Sequence, residues 1–116
     1  MKTYLELLKT DYNYLNDIRY IIRTSKDEQQ IPFNPKLLST IEDYYFDEFE
    51  YYIIIINLLT GFYLDYIKKD DNINNKYILE AVKEYKKKLI DCIDRCMRAL
   101  VDTKNEEEEK WLKQKN

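Results

Sequence analysis

Pro32, Pro35 and Gly61 are the only proline and glycine residues among 116, and that scarcity bounds the fold more tightly than any other feature of the chain. A β-sandwich or a doubly wound sheet needs a turn about every 8–12 residues, and turns draw on glycine and proline. A chain this poor in both, and only long enough for one hydrophobic core, reads as a few long helices in a single domain over 1–116.

Apolar spacing supports the same reading. TYLE at the amino end offers a capping box from Thr3 and Glu6. Behind it Leu5, Leu8, Tyr12, Leu15, Ile18 and Ile22 recur at steps of three or four, which predicts a first helix over 3–24. SKDEQQIPFNP, residues 25–35, is the one clear loop, because Pro32 disfavours helical geometry at Ile31. Asn34-Pro35 then has the form of a cap followed by proline at the first helical position. From there Leu38, Ile41, Tyr45, Phe49, Tyr52, Ile56, Leu59, Tyr63 and Tyr66 keep the 3–4 spacing, which predicts a second helix over 35–69. The polar DDNINN stretch at 70–75 ends it and caps a third helix over 75–102. That helix buries Ile78, Val82, Tyr85, Leu89, Ile93, Cys96 and Leu100 and turns Lys76, Lys83, Lys86, Lys87, Arg95 and Arg98 outward. Residues 104–116 form a charged helical tail, either an extension of the third helix or a short fourth helix capped by Thr103, with Glu106–Lys110 and Glu109–Lys113 as supporting pairs. The expected fold is therefore an all-α antiparallel bundle of three long helices, with the second as its central element.

The apolar run in EFEYYIIIINLLTGFYLDYI raises the question of a membrane span. Only the fourteen residues from Tyr51 to Leu64 are uncharged, and Asn57, Thr60 and Gly61 dilute them. A spanning helix needs about 20 apolar residues, so no transmembrane segment is expected and the run reads as a core helix. A second apolar set in it (Phe46, Ile53, Ile54, Ile55, Leu58, Phe62, Ile67) exceeds what two neighbouring helices cover, which suggests a homodimer or a protein partner. Gly61 disfavours a helix by about 1 kcal/mol relative to alanine; close approach of another helix is the expected reason, a kink the other.

The chain contains no histidine. This removes Ser-His-Asp and Cys-His catalysis, imidazole zinc and di-iron sites, and nucleases built on an arginine-histidine pair. No glycine-rich phosphate loop exists either. Cys92 and Cys96 are the only cysteines, too few for a tetrathiolate site within one chain, and read as small buried hydrophobes. With two cysteines and no secretory leader behind Met1, a cytoplasmic location is expected. No catalytic residue, cofactor or metal is assigned, and an enzyme is not expected.

The net charge of −3 argues against a generic nucleic-acid binder. Its distribution is uneven: residues 36–69 sum to −3 and 76–104 to +3, which suggests attraction between neighbouring helices. Glu42, Asp43, Tyr44, Asp47, Glu48, Glu50 and Tyr51 make the start of the second helix acidic and aromatic. Tyr44, Tyr45, Tyr51 and Tyr52 cannot all enter one core, and aromatic residues are enriched at interfaces, so this group is the candidate partner-binding surface. Lysine, asparagine, isoleucine and tyrosine supply 50 of the residues, a bias of A/T-rich genomes. The leading expectation is a small protein-protein interaction protein of a phage, plasmid or virus, acting as an inhibitor, anti-defence or immunity-type binder. The alternatives are a nucleic-acid-binding regulator using Lys83, Lys86, Lys87, Arg95 and Arg98, although interleaved acids disfavour nucleic acid, and a bundle resembling bacteriocin-immunity proteins at the inner membrane face.

Overall fold

A computed structural model of the chain describes residues 1–68 and 76–115; the turn expected over 70–75 lies outside them. The described residues form an all-α bundle of three helices, α1 (Tyr4–Thr24), α2 (Asp43–Phe62) and α3 (Lys76–Lys115). The bundle is elongated, with extents of 71 × 24 × 23 Å.

Helix α1 starts where the capping motif places it: the Thr3 hydroxyl accepts from the Glu6 amide at 3.2 Å. Its buried residues are Leu8, Asp11, Leu15, Ile18 and Ile22. Spacings of 3, 4, 3 and 4 are thus kept, but a carboxylate occupies the second position, while Tyr12 sits at the edge of the stripe. Asp11 is 1% exposed. A charge this deep is tolerated only when its hydrogen-bonding capacity is filled. Here the Ser39 amide donates to both carboxylate oxygens (3.1 and 3.0 Å), and the Thr40 amide and hydroxyl donate to Oδ2 at 2.7 and 2.6 Å.

That contact explains why the second helix does not begin at Pro35. Asn34 does cap and Pro35 does lead, with Asn34 Oδ1 accepting from the Lys36 amide at 3.1 Å, but the product is one 3₁₀ turn, Pro35–Leu37. Leu38 is extended, and α2 starts only at Asp43. Serine and threonine compete poorly for helix interiors, and Asp11 takes the two amides that a continuing helix would have used. Leu38 and Ile41 still pack on the core, so the apolar spacing persists without the helix.

Residues 25–42 consequently form a strap that runs back along α1. Asn57 of α2 pins Ile31, accepting from its amide at 2.9 Å and donating to its carbonyl at 3.4 Å. Tyr14 Oη accepts from the Asn34 amide at 3.0 Å. Phe33 lies between Tyr14 of α1 (ring centroids 5.8 Å) and Phe49 of α2 (5.3 Å). Ile31, Phe33 and Pro35 are buried. The strap, rather than direct helix contact, fills the space between α1 and α2.

The central element is therefore α3, not the second helix. It packs against both others and is antiparallel to each. Arg19 of α1 reaches Asp94 at 2.8 Å, while Lys86, two turns earlier in α3, reaches the carboxyl end of α1 at the Lys26 carbonyl (3.0 Å). Glu48 of α2 reaches Arg95, and Tyr52 stacks toward Tyr85. Helices α1 and α2 accordingly run in the same direction, which an 18-residue return strap permits and a short turn would not.

Gly61 meets nothing close: a Cβ there would lie 3.7 Å from Gln30 Nε2, an ordinary contact. It therefore does not admit another helix. The helical path continues through it and widens into a single π turn at Tyr63–Ile67, closed by the Lys68 amide on the Tyr63 carbonyl at 2.8 Å. At the other end, Thr103 donates back to the Ala99 carbonyl at 2.9 Å, the bond of a residue inside a helix rather than of a cap. The tail is an extension of α3, steadied by Lys104–Glu108 (3.8 Å) and Lys110–Glu107 (3.5 Å) rather than by the expected Glu106–Lys110 and Glu109–Lys113 pairs.

Two stability changes are expected. Asp11→Ala strands three donors and should cost about 3 kcal/mol, seen as a lower urea midpoint at unchanged slope. Gly61→Ala should stabilise by about 0.5–1 kcal/mol; a loss instead would mean that the glycine is required sterically.

Candidate protein interface

Six of the seven exposed residues of α2, all but Tyr44, follow one helical stripe. Asp43, Asp47, Tyr51, Ile54, Leu58 and Phe62 follow each other at steps of four, four, three, four and four, and all six are exposed. Tyr51, Ile54, Leu58 and Phe62 show 57, 56, 68 and 48% of their surface to solvent. The apolar run is thus core on one side only. Its other side is a continuous apolar surface, and contiguous patches of this kind on small proteins mark interaction sites.

The tyrosines divide as their crowding requires. Tyr45 is buried and Tyr52 half-buried, while Tyr44 and Tyr51 are exposed. Each exposed ring leans on its inner neighbour, Tyr44 on Tyr45 at 4.1 Å and Tyr51 on Tyr52 at 5.5 Å between centroids. Aromatic side chains held this way lose little freedom when a partner arrives. The Tyr44 contact and burial push the Tyr45 hydroxyl up to about 12.

Of the seven residues assigned to this surface, Glu42, Asp43, Tyr44, Asp47 and Tyr51 are exposed and Glu50 is half-exposed. No ion pair among the described residues engages Glu42, Asp43, Asp47 or Glu50. Glu48 is different. It faces α3, where Arg95 Nη2 lies 3.0 Å from Oε1, the Cys92 thiol donates to Oε2 at 3.0 Å, and Tyr52 Oη lies 3.4 Å from Oε1. Burial alone would raise the Glu48 carboxyl, but Cys92, Arg95 and Tyr52 outweigh it and hold it below its ordinary 4.5. Glu48 is a strut between helices.

Both cysteines are buried and free. Burial first, and then the Glu48 carboxylate, push the Cys92 thiol far above its ordinary 9.0. Burial, with Asp11 adding to it, pushes Cys96 up to about 12. Thiols held protonated like this are poor nucleophiles and poor metal ligands.

The basic residues of α3 do not form one face. Lys86, expected outside, is 6% exposed and donates to Ser25 Oγ (3.3 Å) and the Lys26 carbonyl. There a cation complements the carboxyl end of α1, and burial lowers the pKa of the amine although Asp27 opposes this. Arg95 is bound by Glu48 and by Asp91 at 3.2 Å, and Lys83 pairs with Asp27 at 3.4 Å. Lys87 and Arg98 are exposed and make no ion pair among the described residues. The opposite charges of the two halves meet directly at Glu48–Arg95, while Lys83 and Lys86 are turned to the strap.

Ile54, Leu58, Phe62 and Tyr66 carry the surface and were not assigned to it from the sequence, although the surplus of apolar residues in this run was the signal. An open groove of about 580 Å³ adjoins them, lined among others by Gln30, Leu59, Gly61, Phe62 and Tyr66. Among the described residues no helix is long and apolar enough to cross a membrane, and none group as metal ligands. No protein-family model matches the chain, and neither a curated protein nor a solved structure is significantly similar to it.

The thiols set an alkaline dependence. Below about pH 9 they are protonated in both folded and unfolded chains; above it only the unfolded chain releases its protons, so folding loses stability until the raised folded values are passed. Urea midpoints should fall from pH 9 upward, and the fall should be shallower in Cys92→Ala/Cys96→Ala. Equal slopes in the two proteins would contradict the assignment.

Proposed function

We propose that the chain is a small non-enzymatic protein-binding module that docks its partner on the outward face of α2. The observation that carries this reading is the unbroken run Tyr51, Ile54, Leu58 and Phe62, apolar and exposed on a helix that is otherwise well packed. Leaving so much apolar surface in water is unfavourable by about 25 cal/mol per Å², and cover by a partner would recover it. The pre-ordered tyrosines at the start of the run are typical of contact residues. The residue bias of A/T-rich genomes suits a phage, plasmid or viral protein that inhibits or neutralises another protein, in an anti-defence or immunity role.

The nucleic-acid alternative draws little support, because Lys86 and Arg95, two of its five residues, are engaged inside the fold.

Ile54→Glu and Leu58→Glu test the reading, since both side chains are exposed and the thermal melt should be unchanged. Each should abolish capture of a specific partner from the native host, whereas Lys87→Glu/Arg98→Glu should not. The opposite pattern would move the binding surface to α3.

A further inference from the structure

We infer that the occupant of this face is a cationic amphipathic helix of another protein, with one apolar side chain seated in the groove beside Gly61. The inference rests on the reading of α2 as a docking face and goes beyond it by fixing the chemistry of the partner.

Charge selects among the occupants. The segment Asp43–Phe62 contains four carboxylates and no lysine or arginine. Arg95 neutralises Glu48 from behind, leaving Asp43 and Asp47 on the stripe and Glu50 beside it. Asp65 lies exposed at the far end, on the rim of the groove. Lys68, the nearby described cation, is held by Glu28 at 3.1 Å. The apolar stripe is therefore bracketed at both ends by carboxylates.

A second copy bound across a two-fold axis would bring this acidic surface against itself. Anionic lipid and nucleic acid are repelled by the same charges. A neutral apolar helix would bury Asp43 and Asp47 without counter-charges, which is costly. A helix with lysine or arginine flanking its apolar stripe satisfies both parts of the surface, because stripes at 3–4 spacing interlock side by side.

The groove supplies an anchor point. Gly61 leaves its floor without a side chain, and Phe62 and Tyr66, 5.3 Å apart between ring centroids, form one wall. Gln30 from the strap borders it, and the π turn carries Asp65 and Tyr66. An apolar side chain seated against aromatic walls at the centre of an interface concentrates binding energy.

The probes are two labelled synthetic helical peptides of about 18 residues, five turns. They share one leucine stripe at 3–4 spacing and differ in their flanks, lysine in one and glutamate in the other. Fluorescence anisotropy with the full chain should show saturable binding of the lysine peptide only, weakened by added salt. Asp43→Lys/Asp47→Lys/Glu50→Lys should weaken it about tenfold. Gly61→Leu, which improves helix propensity and fills the groove without changing charge, should also weaken it about tenfold. No binding of the lysine peptide, equal binding of both peptides, or indifference to either variant would overturn the inference. So would a dimer in sedimentation equilibrium that Leu58→Glu dissociates, or binding to phosphatidylserine vesicles. A host partner that is lost with Leu58→Glu yet survives the triple charge reversal would refute the cationic helix and leave the docking face standing. A partner indifferent to Leu58→Glu would remove both.

Discussion

A carboxylate buried in an apolar helical stripe must find donors or remain unfolded with its water, and the rest of this structure follows from where Asp11 finds them. The Ser39 and Thr40 amides and the Thr40 hydroxyl close around it. With those amides taken, the turn begun at Pro35 does not continue through Ser39 and Thr40, and the chain between α1 and α2 becomes a strap lying along α1. The strap inserts Ile31 and Phe33 into the space between the two helices. Neither helix then covers the other, and α3 is left to bury a face of each. The outer face of α2 is free because α3 and the strap pack on its other sides, the strap meeting α2 through Gln30 and Ile31 on Asn57 and through Phe33 on Phe49.

Adjacent acidic residues have unrelated roles for the same geometric reason. Asp47 and Glu48 differ by one position and therefore by about 100° around the helix. Asp47 is turned to solvent, at the head of the apolar stripe, whereas Glu48 meets Arg95, Cys92 and Tyr52 across the α2–α3 contact. A carboxylate with three such neighbours stays ionised despite burial and raises the thiol beside it. The polar strut and the protonated Cys92 are one arrangement, and it orients α2 about its own axis. The opposite charges of α2 and α3 thus fix rotation at one point. They do not act as a general attraction between two faces.

Much of this was readable from residue spacing. The three helices, the cap at Thr3, the loop after Thr24 and the failure of the apolar run to span a membrane all depend on local properties: periodicity, capping chemistry and length. The division of Tyr44, Tyr45, Tyr51 and Tyr52 between core and surface also follows from crowding on one helix. Asp11 escaped notice because a charged residue in an apolar stripe looks like a break in the pattern, although its spacing from Leu8 and Leu15 is that of a buried position. The exposed stripe Ile54–Leu58–Phe62 was visible only as an excess of apolar residues, without an indication of which side lacked a neighbour.

The amino-acid sequence by itself determined the number and kind of elements, since helical periodicity is a property of each segment alone. Tertiary structure decided where α2 begins, which helix lies at the centre, which side of α2 is free, and that Lys86 and Glu48 turn inward. Each depends on a group far along the chain: Asp11 for residues 39 and 40, Asn57 for Ile31, the end of α1 for Lys86, and Arg95 for Glu48. Spacing fixes the angle of a side chain around its own helix, but what stands at that angle is settled only when the helices pack.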